Sequence, residues 1–321
     1  MIGRILAITA ALALAAPAIA ADKEKPDIAE ARAIERKNIA SGKAKIDPAK
    51  AYIFINSPLN RALGLFQKTP SAAEIGNYER EWQRRFEKAQ KNYASDLKSW
   101  EAARKAKQPA GPKPVEPTPE TFAIDPIDLR MLVGFGPQFI FDKVDVPGSE
   151  KSFSYLVEVE PGEYTYLGPI SYLPGTAPLG TCYCMGSVKF EAKAGQITSL
   201  GDFLSLGWAD RAALELATVE REFLPDRAAR ATDWSVPEAL ASYPSAKAEL
   251  RAAGKRNNVL NALVGRIPPV PGVLAYERDV PIDLVGKAEA EAKARAEAEA
   301  AAAREAEAEA AETPPTADPA P

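Results

Sequence analysis

In clear stretches between positions 152 and 200 apolar side chains recur at every second residue, and this period of two restricts the chain to folds that bury one face of a pleated sheet. Phe153, Tyr155, Val157 and Val159 fall on one side of an extended segment, while Ser152, Ser154 and Glu158 fall on the other. Val188, Phe190 and Ala192 alternate likewise with Lys189, Glu191 and Lys193. Further strands are expected at 129–135, 138–144 and 164–167, and on both sides of Ala194-Gly195. Earlier, the unbroken run Tyr52, Ile53, Phe54 and Ile55 suits a strand covered on both faces, and a second short run at 62–66 follows the turn-forming Asn56-Ser57-Pro58. Many short strands without helices between them favour an antiparallel sandwich over a parallel sheet. The expected class is α+β: an antiparallel β-sandwich of immunoglobulin-like size with a long helical insertion, C-terminal helices and a solvated Ala/Glu-rich tail helix.

Between 71 and 107 the period changes. Tyr78, Trp82, Phe86, Ala89, Tyr93, Leu97 and Trp100 are spaced by three or four, which places them on one face of a long helix with charged residues elsewhere. An aromatic seam of that length needs cover, from the sandwich, another helix or a partner, because a large exposed apolar surface marks a contact. Tyr78, Trp82, Phe86, Tyr93 and Trp100 are therefore the candidate partner-contact residues. Arg80, Arg84, Arg85, Lys88 and Lys91 raise a nucleic-acid or membrane-surface reading, which the interspersed Glu79, Glu81 and Glu87 weaken. The stretch 108–120 holds five prolines, cannot support helix or sheet hydrogen bonding, and reads as an extended polyproline linker that supplies reach. Strand-like sequence resumes after it, so 71–120 reads as an insertion into a β domain made of 46–70 and 121–206.

The first twenty residues pair a lone Arg4 with an apolar run that closes on Ala18-Ile19-Ala20, the pattern of a cleaved secretory signal, so the mature chain is expected to begin near Ala21. No cysteine stands there to carry a lipid, and no later run is long enough to span a bilayer, so a periplasmic or secreted product without stable membrane insertion is expected. Residues 21–45 read as a charged, Ala-rich arm with a short helical stripe ended by Gly42. Residues 207–285 read as helices at 209–223, 237–253 and 258–264, followed by a Pro-rich strap at 266–276. From 286 the composition collapses to Ala with Glu, Lys and Arg; pairs such as Glu289 with Lys293 support a lone helix, and 313–321 should be disordered.

The segment Glu160-Pro161-Gly162-Glu163 suits a corner between sheets better than a tight hairpin. With the strands around it, from Val157 to Tyr166 and then from Val188 to Thr198, it resembles the closing half of small exported bacterial β-sandwiches of the PEGA-like or carboxypeptidase-regulatory-like kind. In those families a Pro-Gly-x-Tyr strand is followed by one ending in an Ala-Gly-x-x-Thr turn. The resemblance covers about a fifth of the chain. It implies a non-catalytic module that presents or binds a ligand.

The chain has no histidine, which removes Ser-His-Asp, Cys-His and His-ligated metal chemistry. Its net charge of -4 gives no reason to expect nucleic acid. Cys182 and Cys184 are the only cysteines. They sit near the limit for a disulfide on an extended strand, so an intrachain bond needs a kink at Gly180-Thr181 or Met185-Gly186. A structural disulfide is the first reading; unpaired or intermolecular thiols, a strained redox bond, or a Cu(I) site with Met185 are the others. Asp125 and Asp128 suggest a carboxylate pair, although three residues apart after a proline more often means a turn. Gly134-Phe135-Gly136 lacks the third glycine of a dinucleotide fingerprint. Pro268-Pro269-Val270-Pro271 reads as a strap on its own domain before it reads as a ligand for an aromatic groove. No cofactor and no metal are expected. The leading expectation is a non-enzymatic extracytoplasmic binding or structural protein of the bacterial envelope, whose partner is another envelope protein or a cell-wall component. Behind it stand a periplasmic thiol or Cu(I) protein and, more weakly, a carboxylate-dependent cell-wall hydrolase.

Overall fold

The apolar run that begins at Ala51 forms a strand with neighbours on both edges and side chains buried on both faces, and the rest of the fold is arranged around it. The computed structural model describes residues 29–57, 61–145, 151–172, 176–204 and 232–312, the last eight for their backbone only. The expected signal segment 1–20, the helix expected at 209–223 and the terminal 313–321 lie outside these residues.

In chain order the strands are β1 (Arg32–Ala33), β2 (Ala51–Ser57), β3 (Gly64–Lys68), β4 (Leu132–Phe135), β5 (Ile140–Val144), β6 (Ser152–Val159), β7 (Gly162–Gly168) and β8 (Ile170–Ser171). They continue as β9 (Leu179–Cys182), β10 (Ser187–Ala192), β11 (Ile197–Gly201), β12 (Ser245–Lys247), β13 (Arg251–Ala253), β14 (Leu263–Val264), β15 (Leu274–Glu277) and β16 (Val280–Asp283). The helices among the described residues are α1 (Arg36–Ala40), α2 (Ala72–Lys105), α3 (Ile127–Arg130) and α4 (Leu284–Glu312). One sheet runs β1-β6-β2-β11-β12, with β5 also paired to β6. A second runs β13-β10-β7-β3-β4, and the smaller sets are β14-β9-β8 and the ribbon β15-β16. The protein is thus mixed helix and sheet, mostly antiparallel, with no closed barrel among the described residues.

The alternation seen in the sequence becomes one shared apolar cluster. Ile53 and Ile55 of β2 and Phe153, Tyr155, Val157 and Val159 of β6 meet Phe66, Val133, Phe135, Tyr164, Tyr166, Val188 and Phe190 from the second sheet. The opposite side of β2 carries Tyr52 and Phe54, which Leu156, Ile197, Ile34, Ile39, Phe141 and Leu240 cover. That double burial is what the unbroken run requires. The chain changes sheets at Glu160-Pro161, between β6 and β7, where the Tyr164 hydroxyl donates to the Glu160 carbonyl at 2.6 Å. It changes again between β10 and β11 through Gly195, whose φ of 69° suits a residue without Cβ.

Several expectations are corrected. The sheets are not wholly antiparallel: β11 runs parallel to both β2 and β12, and β14 runs parallel to β9. Residues 237–253, expected to be a helix, form a single 3-10 turn at Glu238–Leu240 and then β12 and β13. Their Ala, Leu and Glu content favours helix only weakly. Pro244 interrupts it, and each strand finds an open edge, β12 on β11 and β13 on β10. The helix expected at 258–264 is also absent. Asn258 instead binds Ala262 through both side-chain atoms, at 2.7 and 3.0 Å, closing a loop that ends in β14. The stretches expected as strands at 129–135 and 138–144 begin with α3 and with a 3-10 turn at Pro137–Phe139 respectively. In the N-terminal arm a two-residue strand, β1, precedes a helix that starts only at Arg36.

The strap lies on the domain. Ile267 and Val270 are buried, and Ile267 N–H donates to the Gly186 carbonyl at 3.0 Å. Next, α4 leaves β16 tethered by Arg251, which binds Asp283 at 3.1 Å and Glu289 at 3.0 Å. From Lys287 to Arg304 every α4 side chain is exposed, consistent with a helix that has no apolar stripe.

Candidate functional site

Between the paired strands β3 and β4 the chain leaves the sheet to build α2 and return. Two ion pairs fix the helix, one to strand β3 and one to α3. At its start Ser71 and Glu74 form a reciprocal cap: the Ser71 hydroxyl accepts from Glu74 N–H at 3.3 Å, and the Glu74 carboxylate accepts from Ser71 N–H at 2.8 Å. Both Glu74 oxygens also accept from Lys68 Nζ at 2.7 Å, and Lys68 belongs to β3. Burial alone would push the Glu74 carboxyl up, but Lys68 and Ser71 together hold it below its ordinary value.

Two turns on, Arg130 at the end of α3 grips Glu81 at 2.5 and 3.4 Å, and its guanidinium stands 5.1 Å over the Tyr78 ring. Arg85 adds a second cation to Glu81 at 2.7 Å. The Arg130 hydrogen bond, against an opposing burial effect, holds the Glu81 carboxyl below the usual carboxylate range.

Past Glu81 the ring contacts of the seam, among the described residues, are made within the helix and with Phe122. The seam thus meets the chain's own Pro-rich segment. Trp82 and Phe86 stack at 5.0 Å, and Phe122 packs on both, at 5.8 and 5.5 Å. Toward the far end the Trp100 indole N–H donates to the Gly111 carbonyl at 2.9 Å. From Trp100 back to the midpoint of Trp82 and Phe86 the helix rises about 24 Å. From Gly111 to Thr118 a polyproline strand rises about 22 Å, and the turn in which Thr121 and Phe122 donate to the Thr118 carbonyl delivers the ring onto the seam. The Pro-rich segment is therefore anchored on α2 at Gly111 and at Phe122, so that 108–126 forms the return strand of a helix–polyproline hairpin.

Of the five candidate contact residues, Tyr78 is taken by Arg130, Trp82 and Phe86 by Phe122, and Trp100 by Gly111 and by Arg104, whose guanidinium lies 5.0 Å over its ring. Tyr93 and Leu97 are half-buried between these contacts, and Phe86 is the one α2 residue that is fully buried. A groove of about 590 Å³ runs between the two strands of the hairpin, lined by Arg85, Lys88 and Asn92 from one helix stripe and by Phe122 to Pro126 opposite. Asp125 is exposed on its rim, whereas Asp128 is half-buried in the first turn of α3, its carbonyl accepting from Gln67 Nε2 at 3.4 Å. Sequence reasoning missed Arg130, Lys68 and Phe122. Phe122, an aromatic closing a Pro-rich run, was the available signal.

Cys182 and Cys184 are joined as a disulfide with Cα atoms 5.1 Å apart, and both are buried. The kink falls at Met185-Gly186, where Gly186 N–H donates to the Tyr183 carbonyl at 3.2 Å. Around this turn, Gly265 N–H donates to the Cys182 carbonyl, Met185 N–H to the Gly265 carbonyl and Arg256 N–H to the Cys184 carbonyl. The bonded pair thus helps hold the C-terminal strap, and in this form it offers no thiolate. Gly134 lies within β4 and Gly136 precedes a 3-10 turn, so no phosphate-binding helix start follows them. Among the described residues no three His, Cys, Asp or Glu side chains converge as a metal site. No helix among them is long and apolar enough to cross a membrane. Comparisons with protein-family models, curated proteins and solved structures find no match to this chain.

Proposed function

We propose that this chain is a non-enzymatic binding or structural protein of the bacterial envelope, periplasmic or secreted, in which a β-sandwich body holds out the helix–polyproline hairpin to another envelope protein or a cell-wall component. The observation that carries the reading is the arm itself. A 34-residue helix clamped at its base by Lys68–Glu74 and Arg130–Glu81 packs, among the described residues, chiefly on its own return strand over the remaining length, about 36 Å from Glu81 to Lys105. A domain gains nothing in core burial from such an element, so its use is to reach a partner. The two apolar faces that meet in one cluster support the sandwich, and the turn grammar shared with PEGA-like modules supports a presenting role.

Crosslinking of the full-length protein in intact cells tests this. A Tyr93→Ala/Leu97→Ser variant alters the half-buried stretch of the arm while leaving its base intact. Loss of the crosslinked partners in that variant is expected; an unchanged partner set would move the contact surface to the sheets.

A further inference from the structure

The far end of the arm is chemically unlike the rest of the chain. From 98 to 113 it holds Lys98, Arg104, Lys105, Lys107 and Lys113 against the single acid Glu101, a net of +4 in a chain whose total is -4. The remainder of the molecule is therefore acidic. All five cations are exposed, and among the described residues none of them is paired with an acid. Lys107, at φ 53°, makes the turn from helix to return strand. Trp100 and Arg104 are stacked there, and Val115, 86% exposed, lies just behind.

From these observations we propose that the arm tip is a peripheral docking point for anionic lipid headgroups, a surface distinct from the seam assigned above to the envelope partner. Reach decides what the tip senses. It stands about 36 Å beyond Glu81, more than four Debye lengths at physiological ionic strength, so the acidic body neither cancels its field nor is felt by the surface it touches. Spread decides what can be bound: a broad, flat array of negative charge can meet five cations distributed over both strands of a hairpin. Side-chain type agrees as well: an exposed valine beside a lysine cluster settles at the headgroup level while the cations contact phosphate. No part of the chain needs to insert, in keeping with the absence of a spanning helix among the described residues.

The test is cosedimentation of the full-length protein with vesicles of phosphatidylcholine alone and of phosphatidylcholine with phosphatidylglycerol. Binding is expected only to the anionic vesicles, weakening steeply as salt is raised. Replacing Lys98, Arg104, Lys105, Lys107 and Lys113 by Gln preserves helix propensity and should weaken binding at least about a hundredfold, each single change giving about fivefold. A control with five body cations changed (Lys43, Lys45, Lys193, Lys247 and Lys255 to Gln) should bind as the wild type does. No anionic-vesicle binding by the wild type, binding that survives in the tip variant, or equal losses in both variants would each overturn the proposal. If vesicle binding is absent and the tip variant instead loses a crosslinked acidic protein, the tip belongs to that protein. The seam variant Tyr93→Ala/Leu97→Ser should keep vesicle binding while losing its crosslinks, so the two proposals fail separately.

Discussion

Removing Glu81 should damage the arm more than removing the arginine it binds. Arg130 is a buried cation, its side chain 6% exposed; it is paired with Glu81 and stands over the Tyr78 ring, and among the described residues its Nε has no hydrogen-bond partner. Glu81→Ala leaves that charge sealed and uncompensated, a change that costs about 3 kcal/mol when one partner of a buried pair is lost. Arg130→Met removes the charge together with its desolvation penalty, and Glu81 keeps Arg85 at 2.7 Å, so the cost falls to about 1 kcal/mol. The difference of about 2 kcal/mol corresponds to about 1 M in the urea midpoint, read by circular dichroism. If the arm detaches before the body unfolds, amide exchange over 72–86 will rise more in Glu81→Ala than in Arg130→Met. The pH dependence has a fixed sign. Because the Arg130 hydrogen bond holds the folded Glu81 carboxyl below its ordinary 4.5, the stabilisation is fully present above that pH and is lost as pH falls through the lowered value. An Arg130→Met variant as damaged as Glu81→Ala, or more so, would refute the reasoning.

Other consequences follow from the body. Gly168 has φ 122°, and a Cβ there would stand 2.3 Å from the Thr181 carbonyl, so Gly168→Ala should cost at least about 2 kcal/mol in urea melts. Gly111→Ala, which meets nothing within 4 Å, should be close to neutral. Replacing both cysteines by Ser should cost only about 1–2 kcal/mol, since the closed loop is very short, and a loss above 4 kcal/mol would assign the turn a larger part in holding the strap. Burial pushes the Tyr52 hydroxyl up to about 12, a shift that Asp47 N–H opposes and Glu158 reinforces. The stability it lends is complete below its ordinary value of 10 and disappears as pH rises toward 12, so Tyr52→Phe should flatten that part of an alkaline unfolding curve.

Much of the body could be read from residue order because its signals are local. Strand β6 declares itself by its alternating Phe153, Tyr155, Val157 and Val159, β2 by an apolar run that only double burial explains, and α2 by seven residues at helical spacing. The i,i+2 spacing of the cysteines, with glycine on either side, already pointed to a kinked pair. What escaped was set by partners distant in sequence. Ser245–Lys247 and Arg251–Ala253 have composition closer to helix than strand, and became strands because β11 and β10 offered edges. Nothing in Ile197–Gly201 says that it will lie parallel to β2. The prolines of 108–120 fixed an extended backbone but not its course, which depends on Phe122 reaching Trp82 and Phe86 across a reversal at Lys107. Arg130 was hidden inside the stretch 129–135 that looked like strand throughout, although its first two residues close a helical turn.

The hairpin is tested most directly by the distance between spin labels at Lys91 and Val115, both exposed positions on its two strands, measured by pulsed electron resonance. If the Pro-rich segment runs back along α2, Val115 lies about 12 Å along the strand from Gly111, roughly level with Asn92, and the labels give one narrow distance below about 20 Å. A broad distribution centred well beyond that value would mean that the segment is a free linker and that no arm exists.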